Sequence, residues 1–79
     1  MPIFLVYARR TPETLLRIMS LFHRRAIPID RLTVERSEDT DVLRVTVNVQ
    51  TSAEQAYRIE ANLYKIVDVF SVETMIDST

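Results

Sequence analysis

Residues able to do chemistry are thin in this chain, and their spacing builds no reactive group. There is one histidine, His23, and no cysteine. A histidine can serve as a general base, but His23 stands beside Arg24 and Arg25 at the end of an apolar stripe. That is where basic side chains answer the carbonyl end of a helix. One histidine without a thiolate cannot assemble the ligand set of a transition-metal site. Glu35, Glu38, Asp39 and Asp41 crowd together, as the ligands of a calcium loop do. They lack the alternating spacing and the glycine on which such a loop turns, and they read as solvated turn residues. Ser20, Ser37, Ser52, Ser71 and Ser78 have no nucleophile motif around them. No catalytic residue, no metal ligand and no cofactor on this chain is expected.

Charge points to contacts instead. Ten Lys and Arg stand against eleven Asp and Glu, for a net charge of −1. Residues 1–36 carry +4 and residues 37–79 carry −5, an asymmetry that can orient a partner. The pairs Arg9-Arg10 and Arg24-Arg25 flank one predicted helix and suit an acidic protein patch or simple solvation equally well. Nucleic acid is a poor fit: the third predicted strand, Val42-Leu43-Arg44-Val45-Thr46-Val47, offers no aromatic for base stacking. Phe4, Tyr7, Tyr57, Tyr64 and Phe70 are better placed in a core or an interface.

The elements that would position these groups are well signalled. Residues 2–8 form a short apolar run that suits a buried strand. Thr11-Pro12-Glu13 opens a helix: Thr11 caps the first amides, Pro12 needs no donor at the first position, and Glu13 faces the positive end. Leu15, Ile18, Met19, Phe22 and Ala26 follow as an apolar stripe, and Pro28 bars continuation. Residues 29–36 read as a second strand, and residues 37–40 as a polar turn. Residues 42–50 read as a third strand, with Leu43, Val45, Val47 and Val49 on one face and Arg44, Thr46 and Asn48 on the other. Ser52 and Gln55 form a capping box for a second helix that turns Ala56, Ile59, Leu63 and Ile66 inward. A fourth strand takes residues 67–75 and a frayed tail 76–79.

The order β-α-β-β-α-β predicts an α+β, ferredoxin-like domain: a four-stranded antiparallel sheet with two helices on one face. One domain is expected over residues 1–79, its core over 3–75. The first and third strands are central and the second is an edge. Ile3, Leu5 and Tyr7 share the uncovered sheet face with Arg44, Thr46 and Asn48. A bare edge and a partly apolar face favour pairing with a second copy or a partner. The expected interface residues are Arg9, Arg24 and Arg25 at the first helix, and Arg31, Thr33 and Glu35 on the edge. The N-terminal segment is apolar before it is basic, unlike a secretory signal, and no run is long enough for a membrane span. A cytoplasmic location is expected.

Three segments together carry a family resemblance. Thr11-Pro12-Glu13-Thr14-Leu15-Leu16-Arg17-Ile18, Leu21-Phe22-His23-Arg24-Arg25-Ala26-Ile27-Pro28-Ile29 and Leu32-Thr33-Val34 resemble an ACT domain. The later Leu63-Tyr64-Lys65-Ile66-Val67-Asp68-Val69 is similar to a Leu-x-Lys-Leu-Val-Asp-Val segment of the regulatory small subunits of acetolactate (acetohydroxyacid) synthase. The Pro-Glu-Thr-Leu opening looks most like the short, valine-insensitive isozyme II type. The resemblance implies a non-catalytic subunit that activates a large subunit carrying thiamine diphosphate, magnesium and FAD, in branched-chain amino-acid synthesis. It also implies side-by-side homodimers. The alternative is a free-standing ACT dimer sensing another small metabolite.

The complete absence of glycine bears on that resemblance, since a chain this long ordinarily holds about five or six. Valine-sensitive members place Asn-x-x-Gly in the loop before the first helix, where the effector's carboxylate meets helix amides. Here the loop reads Arg10-Thr11-Pro12-Glu13-Thr14, with Arg10 for the asparagine and Glu13 for the glycine. The expectation is a degenerate effector loop that binds no valine. Ala26 replaces a second family glycine and is expected to adopt a left-handed conformation after the first helix.

Overall fold

A computed structural model describes residues 2–38 and 40–76. The element order is β1 (Pro2–Arg9), α1 (Pro12–Arg24), β2 (Ile29–Arg36), β3 (Val42–Val49), α2 (Ala53–Tyr64) and β4 (Val69–Ile76). The strands form one antiparallel sheet in the order β2-β3-β1-β4, as the split βαβ reading requires, with β1 and β3 central and β2 at an edge.

Strand alternation sorts the side chains. Phe4, Val6 and Ala8 of β1 stand opposite Val47, Val45 and Leu43 of β3, on the helix-covered face. All of these but Leu43, which is partly buried against them, join Ile18, Phe22, Ala56, Ile59 and Leu63 in a fully or almost fully buried core. The Phe4 and Phe22 rings meet at 5.9 Å in a tilted arrangement, favourable for aromatic quadrupoles. The open face carries Ile3, Leu5 and Tyr7 beside Asn48, Thr46 and Arg44 on one side and Met75, Glu73 and Ser71 on the other. In β2, Leu32 and Val34 lie opposite Val47 and Val45, yet stay 36% and 40% exposed because the helices stop short of the edge. Asp30 is bulged out of the β2–β3 register, and residues 31–36 pair regularly.

Several boundaries differ from expectation for local reasons. The α1 stripe is rotated: Thr14, Ile18, Leu21 and Phe22 are buried, Leu15 and Met19 half-buried and Ala26 exposed, as stacking Phe22 on Phe4 demands. Thr11 adopts extended N-cap geometry without a side-chain capping bond. Its hydroxyl lies 2.8 Å from that of Thr14 instead. Thr14 is fully buried, and a buried hydroxyl without a partner costs more than an amide that water can serve. Ser52 caps as expected, accepting from the Gln55 amide at 3.1 Å. Ile66 follows α2 in the turn rather than lying on the helix, though it packs against the core. β4 begins at Val69, not residue 67, because that turn closes through Val69 N–H to Ile66 O at 3.0 Å. Ile76 belongs to β4, while residues 77–79, Asp39 and Met1 lie outside the described residues.

The exit from α1 holds the one left-handed residue among the described residues: Ala26 has φ 54°. Ala26 N–H donates to His23 O (3.0 Å) and Ile27 N–H to Phe22 O (3.1 Å). Those two bonds are the Schellman pair that ends a helix, in which glycine ordinarily takes the position Ala26 holds.

Candidate functional site

The loop joining β1 to α1 is held by its own backbone. Arg9 N–H donates to Asp68 O and Arg10 N–H to Asp41 O, both at 2.8 Å; Thr11 N–H donates to Arg9 O and Thr14 N–H to Thr11 O. Pro12 has no N–H to give. The first turn of α1 therefore offers few free donors for a carboxylate.

Side chains complete the closure. The Arg10 guanidinium donates to Thr40 O at 2.9 Å, which ties the loop to the β2–β3 turn. Glu13 does not lie over the helix start: its carboxylate is drawn one turn along to Arg17, at 3.3 Å. Asp68, with its side chain only 18% exposed, lies 3.6 Å from both Arg9 and Arg17. Arg9 also sits over the Phe70 ring, 5.7 Å from its centre. The result is an alternating chain Arg9–Asp68–Arg17–Glu13 that joins the β1–α1 loop to the α2–β4 turn.

The six expected interface residues do not converge. Arg9 is at the N-terminal end of α1, while Arg24 and Arg25 are at its C-terminal end, beside Lys65. Arg31, Thr33 and Glu35 share the open face of β2 and stand opposite Asn48, Thr46 and Arg44. Glu35 accepts from Arg44 at 2.9 Å, and that bond raises the guanidinium's already high pKa. Of the five aromatics set aside from nucleic-acid stacking, Phe4 enters the core. Tyr7 is half-buried, and Tyr57, Tyr64 and Phe70 are half-exposed or more. Tyr64 nonetheless uses its hydroxyl twice, donating to Val72 O and accepting from Val72 N–H. Among the described residues no group of three His, Cys, Asp or Glu could hold a metal ion, and no helix is long and apolar enough to cross a membrane.

This geometry has known relatives. Residues 10–72 match the ACT domain family. The chain belongs to that family. The acetolactate synthase small subunit of Haemophilus influenzae is 40% identical over 56 residues, which is 71% of this chain and 34% of that protein. The crystal structure of the acetolactate synthase small subunit from Thermotoga maritima superposes with a TM-score of 0.87 at 25% identity, over 98% of this chain and 48% of that one. This ACT domain thus spans about a third and about half of those two relatives. The ACT domain of GTP pyrophosphokinase from Chlorobium tepidum matches with a TM-score of 0.77 at 12% identity, covering 94% of this chain and 95% of that one, and speaks to fold alone.

Asp68, Arg17 and Phe70 are the loop partners that sequence reasoning missed as such; Thr14 was named in the loop, but not as the partner of the Thr11 hydroxyl. Asp68 and Arg17 are far apart in sequence, and only the antiparallel β1–β4 register, which sets Ala8 against Val69, brings them together. Arg17 four residues after Glu13 was the available signal.

Proposed function

We propose that this ACT domain is a non-catalytic regulatory subunit of acetolactate synthase that activates a separate large subunit and does not respond to valine. The observation that carries the reading is the double match to acetolactate synthase small subunits, in sequence and in fold. Thiamine diphosphate, magnesium and FAD would reside on the large subunit. Binding of this chain biases that subunit toward its active conformation, which requires tighter binding to that state than to the inactive one.

Valine insensitivity rests on the effector loop. Glycine's freedom of close approach is lost at Glu13, whose Cβ borders the backbone even though its carboxylate turns to Arg17, Pro12 withholds an amide, and Arg10 is engaged with Thr40. Isothermal titration calorimetry with valine, leucine and isoleucine should give no saturable heat, and a saturable isotherm would overturn this part of the reading.

The dimer is expected at the β2 edge, whose sequence is self-complementary. An antiparallel pairing centred on Thr33 sets Arg31 opposite Glu35 of the second copy, on the open face. It sets Leu32 opposite Val34 on the other face, covering two side chains that the helices leave exposed. Moving the centre to Leu32 or Val34 places Thr33 against Arg31 or Glu35 and loses the charge pairing. For the activity itself, the test is a pull-down with the purified large subunit followed by a turnover assay. Association with raised turnover is expected; neither association nor a change in turnover would refute the regulatory role.

A further inference from the structure

A groove between α1 and the end of α2 brings cations together beside exposed aliphatic side chains. Its deeper lobe, about 480 Å³, is lined by Leu21, Arg24, Arg25, Asn62, Lys65 and Ile66. An adjoining lobe of about 550 Å³ shares Arg24, Lys65 and Ile66 and adds Leu16, Ser20, Val67 and Arg17, the last already paired with Glu13 and Asp68. Neither lobe is lined by an acidic residue. Arg9, Arg17, Arg44 and Arg58 all pair with carboxylates, whereas Arg24, Arg25 and Lys65 have no acidic partner among the described residues. Leu16 and Val67 are 67% and 80% exposed, so two aliphatic side chains face water beside three unanswered cations.

We propose that this groove docks an acidic segment of the large subunit, apolar side chains seating on Leu16, Ile66 and Val67 while carboxylates meet Arg24, Arg25 and Lys65. The proposal rests on the regulatory reading above. Charge complementarity selects the occupant. The molecule is nearly neutral, and its local excess of positive charge attracts a negative segment and speeds the encounter. A second copy docked here about a two-fold axis would oppose cation to cation, since an isologous contact places the same patch on both sides. A free small anion would leave the aliphatic rim uncovered, because both lobes are open troughs.

The test uses the whole chain and the purified large subunit, with binding followed by fluorescence anisotropy. Arg24→Glu/Arg25→Glu should weaken binding at least tenfold, and Leu16→Ser/Val67→Ser should weaken it severalfold. Met75→Glu, on the open face of the sheet, should leave it unchanged. Raising salt from 50 to 300 mM, which shortens the Debye length from above 10 Å to below 8 Å, should weaken the wild type more than the Arg24/Arg25 variant. Circular dichroism checks that each variant is folded. Amide shifts in the labelled chain should change mainly over residues 16–25 and 62–67. Shifts confined to β2, or equal binding by the double-arginine variant, overturn the groove while leaving the regulatory role standing. Failure of the wild type to bind overturns both. Self-association of the chain alone that Arg24→Glu/Arg25→Glu abolishes reassigns the groove to a second copy.

Discussion

Ala26→Gly tests the strain at the helix exit in a molecule that contains no glycine. Ala26 has φ 54° and makes both Schellman bonds, so glycine can replace it without moving the backbone. A left-handed residue bearing a Cβ carries a penalty of about 1–2 kcal/mol. Glycine removes that penalty but adds freedom to the unfolded chain, which returns about 0.4–1 kcal/mol. The net gain is roughly 0.5–1 kcal/mol. For a domain of this size each kcal/mol corresponds to about 6 °C in Tm, so a rise of about 3–6 °C is expected by differential scanning calorimetry. Ala61→Gly is the matched control. Ala61 lies exposed within α2, where glycine costs about 0.8–1 kcal/mol. There the same chemical change should lower Tm by about 5–6 °C. A26G that leaves Tm unchanged or lowers it, with A61G behaving as expected, would refute strain at this turn.

Three further perturbations address the edge, the charge chain and the buried hydroxyl. Arg31→Glu sets like charges together twice per dimer and should raise the dimer dissociation constant about tenfold in sedimentation experiments. Adding Glu35→Arg should recover much of that loss, and no recovery would refute the Thr33-centred register. Asp68→Asn removes two ion pairs of a partly exposed carboxylate. It should cost about 1 kcal/mol or less in urea unfolding, and most of the loss should vanish in 1 M NaCl. A loss independent of salt would assign Asp68 to packing instead. Thr14→Val keeps the shape but deletes the hydroxyl contact with Thr11 and should cost about 1 kcal/mol in the same assay; a neutral result would mean the contact adds nothing to stability.

How much of this was legible follows from the range of the interactions. The sheet order, the strand faces and the edge were readable because alternation with a period of two and the βαββαβ order leave few topologies. Ala26 was readable only through the family resemblance, in which it stands where a glycine follows the first helix; the apolar spacing by itself puts it on the helical stripe. Thr11 was misread for an instructive reason: a threonine before a proline matches the capping pattern, but only tertiary packing reveals that Thr14 is buried and claims its hydroxyl. Glu13 was placed correctly in sequence and incorrectly in space, since Arg17 outcompetes the helix terminus for its carboxylate. Asp68 carried no local signal, as its partners Arg9 and Arg17 come from β1 and α1, more than fifty positions earlier in the chain.

The two proposed contact surfaces differ in a way that decides which partner each can take. β2 alternates sign along one face, Arg31 and then Glu35 about a central Thr33, so a two-fold axis converts it into its own complement. The groove between the helices carries one sign only, in Arg24, Arg25 and Lys65, and no two-fold axis can complement it. A self-complementary edge suits an identical chain; a groove of one sign requires a different chain bearing the opposite one. The first lies at the rim of the sheet and the second on the helix layer, so occupation of the edge leaves the groove's charges unanswered. A dimer formed through β2 would then present two such grooves, related by its axis, and should bind two large subunits per dimer.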